Sequence, residues 1–310
     1  ITKVRVLRMA NITAKDVADL RAKTNAGIME CKKALLEAGG DMDKAIKLLR
    51  EKGLAAQTKK EGRIAADGIV SIKKSGDVSV MLEVNTETDF VAKNDMFRAY
   101  VDTLLGIIIE KKPRDVAELL ALPYPEGNFT VETKLQDLIL VIKEKITIRR
   151  FVIVEGVTST YTHGMGSIGV IVKFDADKNV AEKPEFEEFA KNIALQVCAY
   201  PVTYLDRDSV PAEVLDEEKA VLNAQIKNDP ANARKPAQII EKMVLGRLGK
   251  FYENNCLLEQ VYVKDDALKV RQYVEATAKE LGGSIKVTRF WRYEKGEGIQ
   301  KREDNFADEI

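Results

Sequence analysis

The sequence predicts an α+β protein in which a small N-terminal helical bundle precedes a core built twice from a β-hairpin and a helix. Three observations predict this fold. Apolar residues recur at spacings of three and four through the first 53 residues, which is typical of short amphipathic helices. From residue 67 the period changes to two, which is typical of a β-hairpin with one buried face. The hairpin pattern, again followed by a helix pattern, returns after residue 148.

The bundle is predicted from three helical patterns with recognisable ends. Thr13, with Asp16 three residues later, predicts a capped start for the first helix. The second helix is predicted over residues 28–38, and Asp41 caps the third. Residues 54–66 show weak periodicity, and we therefore interpret them as a linker.

The first half of the core begins with a hairpin that turns at Ser75-Gly76-Asp77. Helical spacing follows over residues 95–111, and a second helix is predicted over 131–145. Three prolines between the two helices predict a looser stretch near residues 113–129.

The second half repeats the pattern, with a hairpin from residue 151 to residue 174 that turns at His163 and a helix after it. Phe97 then corresponds to Phe189, which indicates an old duplication. Two amphipathic helices joined by a polar turn predict an antiparallel hairpin that projects from this half. A strand over 257–263, a helix over 267–281 and a strand over 285–293 complete it.

These patterns give the predicted domain organisation. Its parts are a bundle over 1–53, a linker over 54–66, core subdomains over 67–147 and 148–293 (the second including a coiled-coil hairpin over 212–251), and a charged C-terminal helical module over 294–310.

Composition limits where the protein can act. Of 310 residues, 45% are hydrophobic and 32% are charged, and no apolar run approaches the roughly 20 residues that span a bilayer. Residues 1–9 carry three basic side chains without the apolar region of a secretory signal. We therefore expect a cytoplasmic protein with no membrane partner.

Opposite charges cancel over the chain but are segregated along it. Lysine and arginine total 49, as do aspartate and glutamate, yet the first 63 residues hold 15 basic against 8 acidic side chains. RNA binding by this basic part is one interpretation. Its cations are not interleaved with aromatic rings that could stack on bases, so we expect no nucleic-acid partner.

Few residues offer catalytic or metal chemistry. Cys31, Cys198 and Cys256 have no paired spacing, so we expect half-buried thiols and neither a disulfide nor a metal site. The single histidine, His163, lacks a neighbouring nucleophile and is better explained as a surface contact. We expect no cofactor.

The glycines of the His163 turn offer one candidate nucleotide site. Gly164, Gly166 and Gly169 match G-x-G-x-x-G, but a strand pattern follows them where a dinucleotide site needs a helix, so a hairpin turn is the better interpretation. No G-x-x-x-x-G-K-[ST] loop occurs. We therefore expect no direct nucleotide binding, with a dinucleotide enzyme kept as an alternative.

Five signatures occur in order along the chain. They are Thr24-Asn-Ala-Gly-Ile-Met-Glu-Cys-Lys-Lys-Ala-Leu35, Glu83-Val-Asn-Thr-Glu-Thr-Asp-Phe-Val-Ala-Lys93, Ile148-Arg-Arg150, Glu241-Lys-Met-Val244 and Gly296-Glu-Gly-Ile299. With them, the chain from about residue 11 onward resembles bacterial translation elongation factor Ts. The proline-bearing stretch 113–129 departs from the family pattern by being longer than expected.

The resemblance implies a guanine nucleotide exchange factor that binds elongation factor Tu and promotes GDP release and GTP loading during translation elongation. It implies no covalent chemistry and no catalytic residue. The implied fold is an N-terminal three-helix ubiquitin-associated-like bundle, two related α+β subdomains with β-hairpins packed on helices, an inserted coiled-coil hairpin and a C-terminal module.

The resemblance also assigns residues that bind elongation factor Tu. Phe90 would act as a wedge that, with Asp89, disturbs the magnesium and phosphate-loop region of the partner. The full set is Thr88, Asp89, Phe90, Val91 and Lys93 in the loop, Arg21, Ile28 and Met29 in the bundle, His163, and Met243 with Val244 in the helical hairpin.

The residues themselves leave alternatives open. Phe90 lies in a polar loop between a strand and a helix, where it is either exposed or folded back into its own core. Asp89 beside it offers an acceptor or a helix N-cap. Ile28 and Met29 could equally be bundle core, with Arg21 a solvated side chain. A further alternative function is an adaptor whose bundle binds ubiquitin-like or peptide ligands.

Overall fold

A computed structural model describes residues 12–24, 26–125, 127, 129–232 and 235–300. The chain divides into two compact units. The first combines the chain up to Lys73 with Val80–Ile153 and the chain from Glu294, and the second combines Lys74–Ser79 with Val154–Tyr293. Helices and small antiparallel sheets occur together, so the fold belongs to the predicted α+β class.

The chain up to residue 155 forms seven helices and three strands within its described part. In order they are α1 (Ala14–Thr24), α2 (Ile28–Glu37), α3 (Met42–Lys60), β1 (Asp67–Ser75), β2 (Val78–Thr86), α4 (Asp89–Ala92), α5 (Asp95–Lys111), α6 (Val116–Ala121), α7 (Val131–Ile142) and β3 (Ile146–Glu155).

The three predicted bundle helices are present, and their caps are those that the sequence indicates. Thr13 and Asp16 cap α1 reciprocally, because the Asp16 amide donates to Thr13 Oγ1 and the Thr13 amide to Asp16 Oδ2. Asp41 accepts from the Lys44 amide at the start of α3. Fully buried Leu20 and Leu35 centre the small core between the helices.

The linker prediction for residues 54–66 is wrong in its first half, because α3 continues to Lys60. This helix packs against α7. A Cβ atom added at Gly53 would come within 3.3 Å of the Gln136 carbonyl oxygen, so the two helices approach closely there. Tertiary packing thus stabilises a helix whose own apolar periodicity is weak.

The first sheet has the order β1-β2-β3, and every residue of the central strand β2 is buried. β3 therefore belongs with the first hairpin, and the prediction that its residues open the second hairpin is wrong. α7 ends at Ile142 and not at residue 145, because Lys143 adopts the left-handed conformation with φ of 66°. The looser proline stretch contains α6, which was not predicted.

The chain after residue 155 forms further helices and strands in its described part. In order they are β4 (Thr158–His163), β5 (Ile168–Ala176), α8 (Lys178–Ala181), α9 (Pro184–Ala199), α10 (Ala212–Asn228), α11 (Ala237–Asn255), β6 (Val261–Tyr262), β7 (Asp265–Lys269), α12 (Val270–Leu281) and β8 (Ile285–Glu294), with short 3₁₀ turns at Pro230–Asn232 and Leu257–Glu259.

The second sheet has the order β4-β5-β8, and His163 pairs with Ile168 across the predicted turn. Two predictions here are wrong. The segment expected to be a strand over 257–263 begins with a 3₁₀ turn at Leu257–Glu259 and contains only the two-residue strand β6. The helix expected from 267 begins at Val270, because β7 pairs with β6 first.

α10 and α11 form the predicted helical hairpin, closed by its own small core of Leu222, Ile226, Val244 and Leu248. α11 continues to Asn255, four residues beyond the predicted end. Most of the C-terminal module predicted over 294–310 lies outside the described residues. Its described part, up to residue 300, forms a turn and contains no helix. Among the described residues no helix is both long and apolar enough to cross a membrane.

The same order of elements occurs twice. α4 and α8 begin 89 residues apart, as do α5 and α9, whereas α7 and α12, like β3 and β8, begin 139 residues apart. The larger offset arises because the α10–α11 hairpin is inserted into the second copy. Phe97 thus corresponds to Phe186, and the predicted match with Phe189 is out of register.

Candidate functional site

The loop between β2 and α5 presents an exposed aromatic ring. Phe90 lies in the four-residue helix α4 with 78% of its surface exposed, so the alternative that it folds into its own core is wrong. The next residue, Val91, is buried and anchors the loop. Phe90 therefore offers an exposed apolar contact surface next to a buried anchor.

Charged side chains flank this ring. Asp89 accepts a hydrogen bond of 2.7 Å from Lys93 Nζ, which lowers the pKa of Asp89. The Lys93 ammonium lies 5.8 Å from the centre of the Phe90 ring. Asp89 is therefore an acceptor but not the N-cap of α4, which is Thr88. Both charges are exposed, so their pairing contributes little to folding and leaves them available to a partner.

The base of the loop is held by a residue that the sequence analysis missed. Glu144 follows the end of α7, and its carboxylate accepts from Thr88 Oγ1 at 2.7 Å and from the Thr88 amide at 3.0 Å. The two residues are 56 positions apart. No local pattern could have paired them, because the contact depends on how α7 returns to the sheet.

The assigned bundle residues are exposed. Ile28 is 54% and Met29 63% exposed, so the alternative that they form the bundle core is wrong, and Arg21 also faces solvent. Arg21 and Ile28 line an open groove of about 750 Å³ whose floor includes Val17 of α1. The groove combines an apolar floor with a basic rim.

A smaller cavity of about 220 Å³ lies where the end of α1 meets α5 and α7. Thr24, Met96, Tyr100 and Asp137 are among its lining residues. Burial raises the pKa of Asp137 to about 6, although the nearby cation Lys134 acts in the opposite direction. This carboxyl is therefore a titratable group in the contact between bundle and core helices.

In the second unit, His163 is exposed at the end of β4, and its Nδ1 lies 3.1 Å from the Tyr161 hydroxyl. Met165 at the tip of the same turn is 75% exposed. No sequence pattern had indicated Met165, whose backbone adopts the left-handed conformation with φ of 55°. The glycines of this turn lead into β5, as the hairpin interpretation predicts, and not into a helix.

The two residues assigned in the helical hairpin, Met243 and Val244, differ in burial. Met243 is half-buried, whereas Val244 is buried against α10. Val244 therefore supports the hairpin and does not offer a free surface, while Leu245, which the sequence analysis did not select, is exposed.

The thiols and acidic groups show no sign of a chemical centre in the described part of the chain. No group of three histidine, cysteine, aspartate or glutamate side chains is placed there to hold a metal ion. Cys31, Cys198 and Cys256 are buried and form no disulfide, so the half-buried prediction is wrong. Burial raises the pKa of the Cys31 and Cys256 thiols, which disfavours their reactive thiolate forms.

Three of the sequence signatures meet at one buried carboxylate. Glu83 on β2 is fully buried and accepts from Arg149 at 2.9 Å, from Arg150 at 2.6 Å and from the Gly296 amide at 2.9 Å. Burial raises its pKa, but these hydrogen bonds outweigh that effect and hold the pKa below its ordinary value. A Cβ atom at Gly296 would lie 2.0 Å from the Ala66 carbonyl oxygen, so only glycine fits.

Comparison with known proteins identifies relatives that match nearly the whole chain. A family model described as elongation factor TS matches residues 87–297. The chain is 45% identical to elongation factor Ts of Clostridium kluyveri, over 96% of this chain and 97% of that protein. It is 46% identical to elongation factor Ts of Clostridioides difficile (97% and 98% covered) and 44% identical to that of Magnetococcus marinus (96% and 97%).

Proposed function

The chain belongs to the elongation factor Ts family, whose members act in translation elongation, and from that premise we propose that it is the guanine nucleotide exchange factor of elongation factor Tu. It would bind that protein, promote GDP release and allow GTP to load. The observation that carries this proposal is Phe90, an exposed aromatic ring on a loop that is anchored by buried Val91.

Such an exchanger acts by differential binding and without covalent chemistry. It binds the nucleotide-free partner more tightly than the nucleotide-bound partner, and by linkage it weakens nucleotide binding by the same factor. A tenfold weakening requires about 1.4 kcal/mol. Burying one Phe side chain in the partner contributes about 1.5 to 3 kcal/mol, so the Phe90 ring could account for one to two decades.

The other exposed groups would supply orientation. On the first unit, Asp89 and Lys93 flank the wedge, and Ile28 and Met29 offer apolar contacts on the bundle. On the second unit, His163 and Met243 would make separate contacts, with exposed Met165 and Leu245 beside them. Val91, Thr88 and Val244 would support these surfaces from within.

The finer description of the fold is part of the same proposal. We assign the bundle as ubiquitin-associated-like, the two copies of sheet and helix as related subdomains, and α10 with α11 as the coiled-coil hairpin of the family. The repeated offsets of 89 and 139 residues support the duplication. The proposed site of action is the cytoplasm.

The proposal is tested by release of labelled GDP from elongation factor Tu. We expect the chain, at catalytic concentration, to accelerate release in the presence of excess unlabelled nucleotide. Calorimetry of the chain with GDP alone provides the complementary measurement and should show no binding. No acceleration, or one guanine nucleotide bound per chain, would contradict the proposal.

A further inference from the structure

We propose that Glu144 is a positioning residue for exchange, which holds Thr88 so that Phe90 stays directed outward. The inference rests on the proposed function of Phe90, because Glu144 itself would not touch the partner's nucleotide. The position of the Phe90 ring would then depend on a side chain that lies two residues beyond the end of α7.

The observation behind it is a reciprocal clasp between two dipeptides, Glu87-Thr88 and Glu144-Lys145. The Glu144 carboxylate accepts from the Thr88 hydroxyl at 2.7 Å and from the Thr88 amide at 3.0 Å. In return, Glu87 Oε1 accepts from the Lys145 amide at 2.5 Å. Both carboxylates are at least half-buried, which strengthens these charge-assisted bonds relative to bonds in water.

Two cationic side chains, Arg63 and Lys145, make further hydrogen bonds around the clasp. Arg63 donates to Glu87 at 3.2 Å. The Lys145 ammonium donates to the backbone carbonyl oxygens of Glu61 and Arg63, which fixes the chain segment on the other side of the clasp. The clasp is therefore a connected network and not a single surface contact.

The loop has little stability of its own, so the clasp decides its position. α4 has only four residues, far below the length at which a helix is stable alone. Thr88 occupies the N-cap position but makes no side-chain cap bond, since its hydroxyl donates to Glu144. Its carbonyl is fixed as well, by the Thr86 hydroxyl at 2.8 Å. Thr88 is thus held on three sides, two residues before Phe90.

The second unit contains an equivalent contact, but there the carboxylate belongs to the loop residue and not to the residue after the helix. Asp177, which corresponds to Thr88, accepts from the Ser284 amide at 2.8 Å, and Gly283 occupies the position of Glu144. There the loop supplies the carboxylate, and no exposed aromatic follows it. A variant that breaks the contact in the second unit therefore reports the general effect on folding, and a variant that breaks the clasp in the first unit reports the additional effect on Phe90.

The test combines five variants, one of them the Phe90→Ala background, with two measurements. Glu144→Ala removes both acceptors, whereas Glu144→Gln keeps one acceptor and can donate to the Thr88 hydroxyl, so it should rescue. Asp177→Ala is the matched control in the second unit. Glu144→Ala is also combined with Phe90→Ala. The measurements are hydrogen exchange of the peptide over residues 86–93 and catalysed GDP release.

We expect Glu144→Ala to speed hydrogen exchange of the loop at least tenfold and to lower GDP release about tenfold. Glu144→Gln should stay within about threefold of wild type in both, and Asp177→Ala should not change GDP release. In the Phe90→Ala background, Glu144→Ala should cause little further loss, because its effect passes through the ring.

Wild-type GDP release by Glu144→Ala, or an equal further loss in the Phe90→Ala background, would overturn the inference. Unchanged hydrogen exchange in Glu144→Ala would overturn it without any activity measurement. Failure of the wild-type chain to release GDP would instead refute the proposed function, and the hydrogen-exchange measurement would still decide whether Glu144 holds the loop.

Discussion

The two loops that follow β2 and β5 differ in one position that matters. Each begins a four-residue helix at positions 89 residues apart, and each buries a valine, Val91 in the first and Val180 in the second. Between N-cap and valine, the first loop exposes Phe90 and the second exposes Asn179. Both loops bury the valine, and the second loop has a small polar residue where the first has an aromatic ring, so the exposed ring is not needed to form such a loop and is consistent with the contact proposed for it.

Truncation of an equivalent core side chain should destabilise the protein to a similar extent in either unit, and this is the largest effect that we expect. Phe97 and Phe186 occupy equivalent buried positions on α5 and α9. Truncation of either to alanine should lower the free energy of unfolding by about 3 to 5 kcal/mol, because each leaves a large cavity. Chemical denaturation measures it. A cost below 1 kcal/mol at one position would show that the two scaffolds are not equivalent.

The exposed residues of the two loops, Phe90 and Asn179, should differ in how their truncation affects catalysed GDP release. Phe90→Ala should lower catalysed GDP release about 100-fold, equivalent to about 2.7 kcal/mol, while stability changes by no more than about 0.5 kcal/mol. Asn179→Ala is the matched control and should leave both unchanged. Stopped-flow release and a thermal melt measure the pair. A folded Phe90→Ala variant with the wild-type rate would refute the wedge and move the main contact to Ile28 and Met29.

A third comparison uses pH. Asp137 on α7 has a pKa raised by burial to about 6, whereas its counterpart on α12 is Ala276, which does not titrate. Because the folded-state pKa of Asp137 lies above its unfolded value, the contribution of this group to stability is most favourable below about pH 4 and is lost as pH rises through 6.

Asp137→Asn should therefore raise the free energy of unfolding at pH 8 by about 1 to 3 kcal/mol and change it little at pH 4. Denaturation at the two pH values measures the difference. A variant that loses stability at pH 8 would show that the charged form of Asp137 is stabilised by Arg50 or Lys134.

The smallest effect is expected for the flanking charge. Asp89→Asn removes the ion pair with Lys93 but keeps the size and an acceptor, so stability should change by less than about 0.5 kcal/mol. GDP release should fall by less than tenfold if the charge orients the loop against the partner. An equal loss in Lys93→Met would assign the effect to the pair, and an unchanged rate in both would remove Asp89 and Lys93 from the site.

Local signals in the sequence predicted much of this architecture. Thr13 with Asp16, and Asp41 before α3, are caps formed within three residues, and the alternating pattern around the Ser75-Gly76 turn defines a hairpin without help from distant residues. The polar loop around Phe90 gave exposure as one of two alternatives, and the sequence alone did not decide between them.

The errors arose where distant contacts decide the structure. α3 extends through Lys60 because it packs on α7, and β3 joins the first sheet because β2 offers it an edge. Glu144 was missed because its partner Thr88 lies 56 residues earlier, and the burial of Val244, which the resemblance assigns to partner binding, depends on its packing against α10. Periodicity describes one element at a time and does not say which element will cover it.

The buried Glu83 carboxylate has a consequence for biosynthesis. Two of its partners, Arg149 and Arg150, are translated about 66 residues after it, but the Gly296 amide is translated 213 residues after it. The first unit is thus assembled from the beginning, the middle and the far end of the chain. A nascent polypeptide emerging from the ribosome can pair Glu83 with the two arginines early, but it can complete the hydrogen bonds of this carboxylate only after the second unit has been synthesised. Vectorial synthesis therefore delays completion of the unit that carries Phe90.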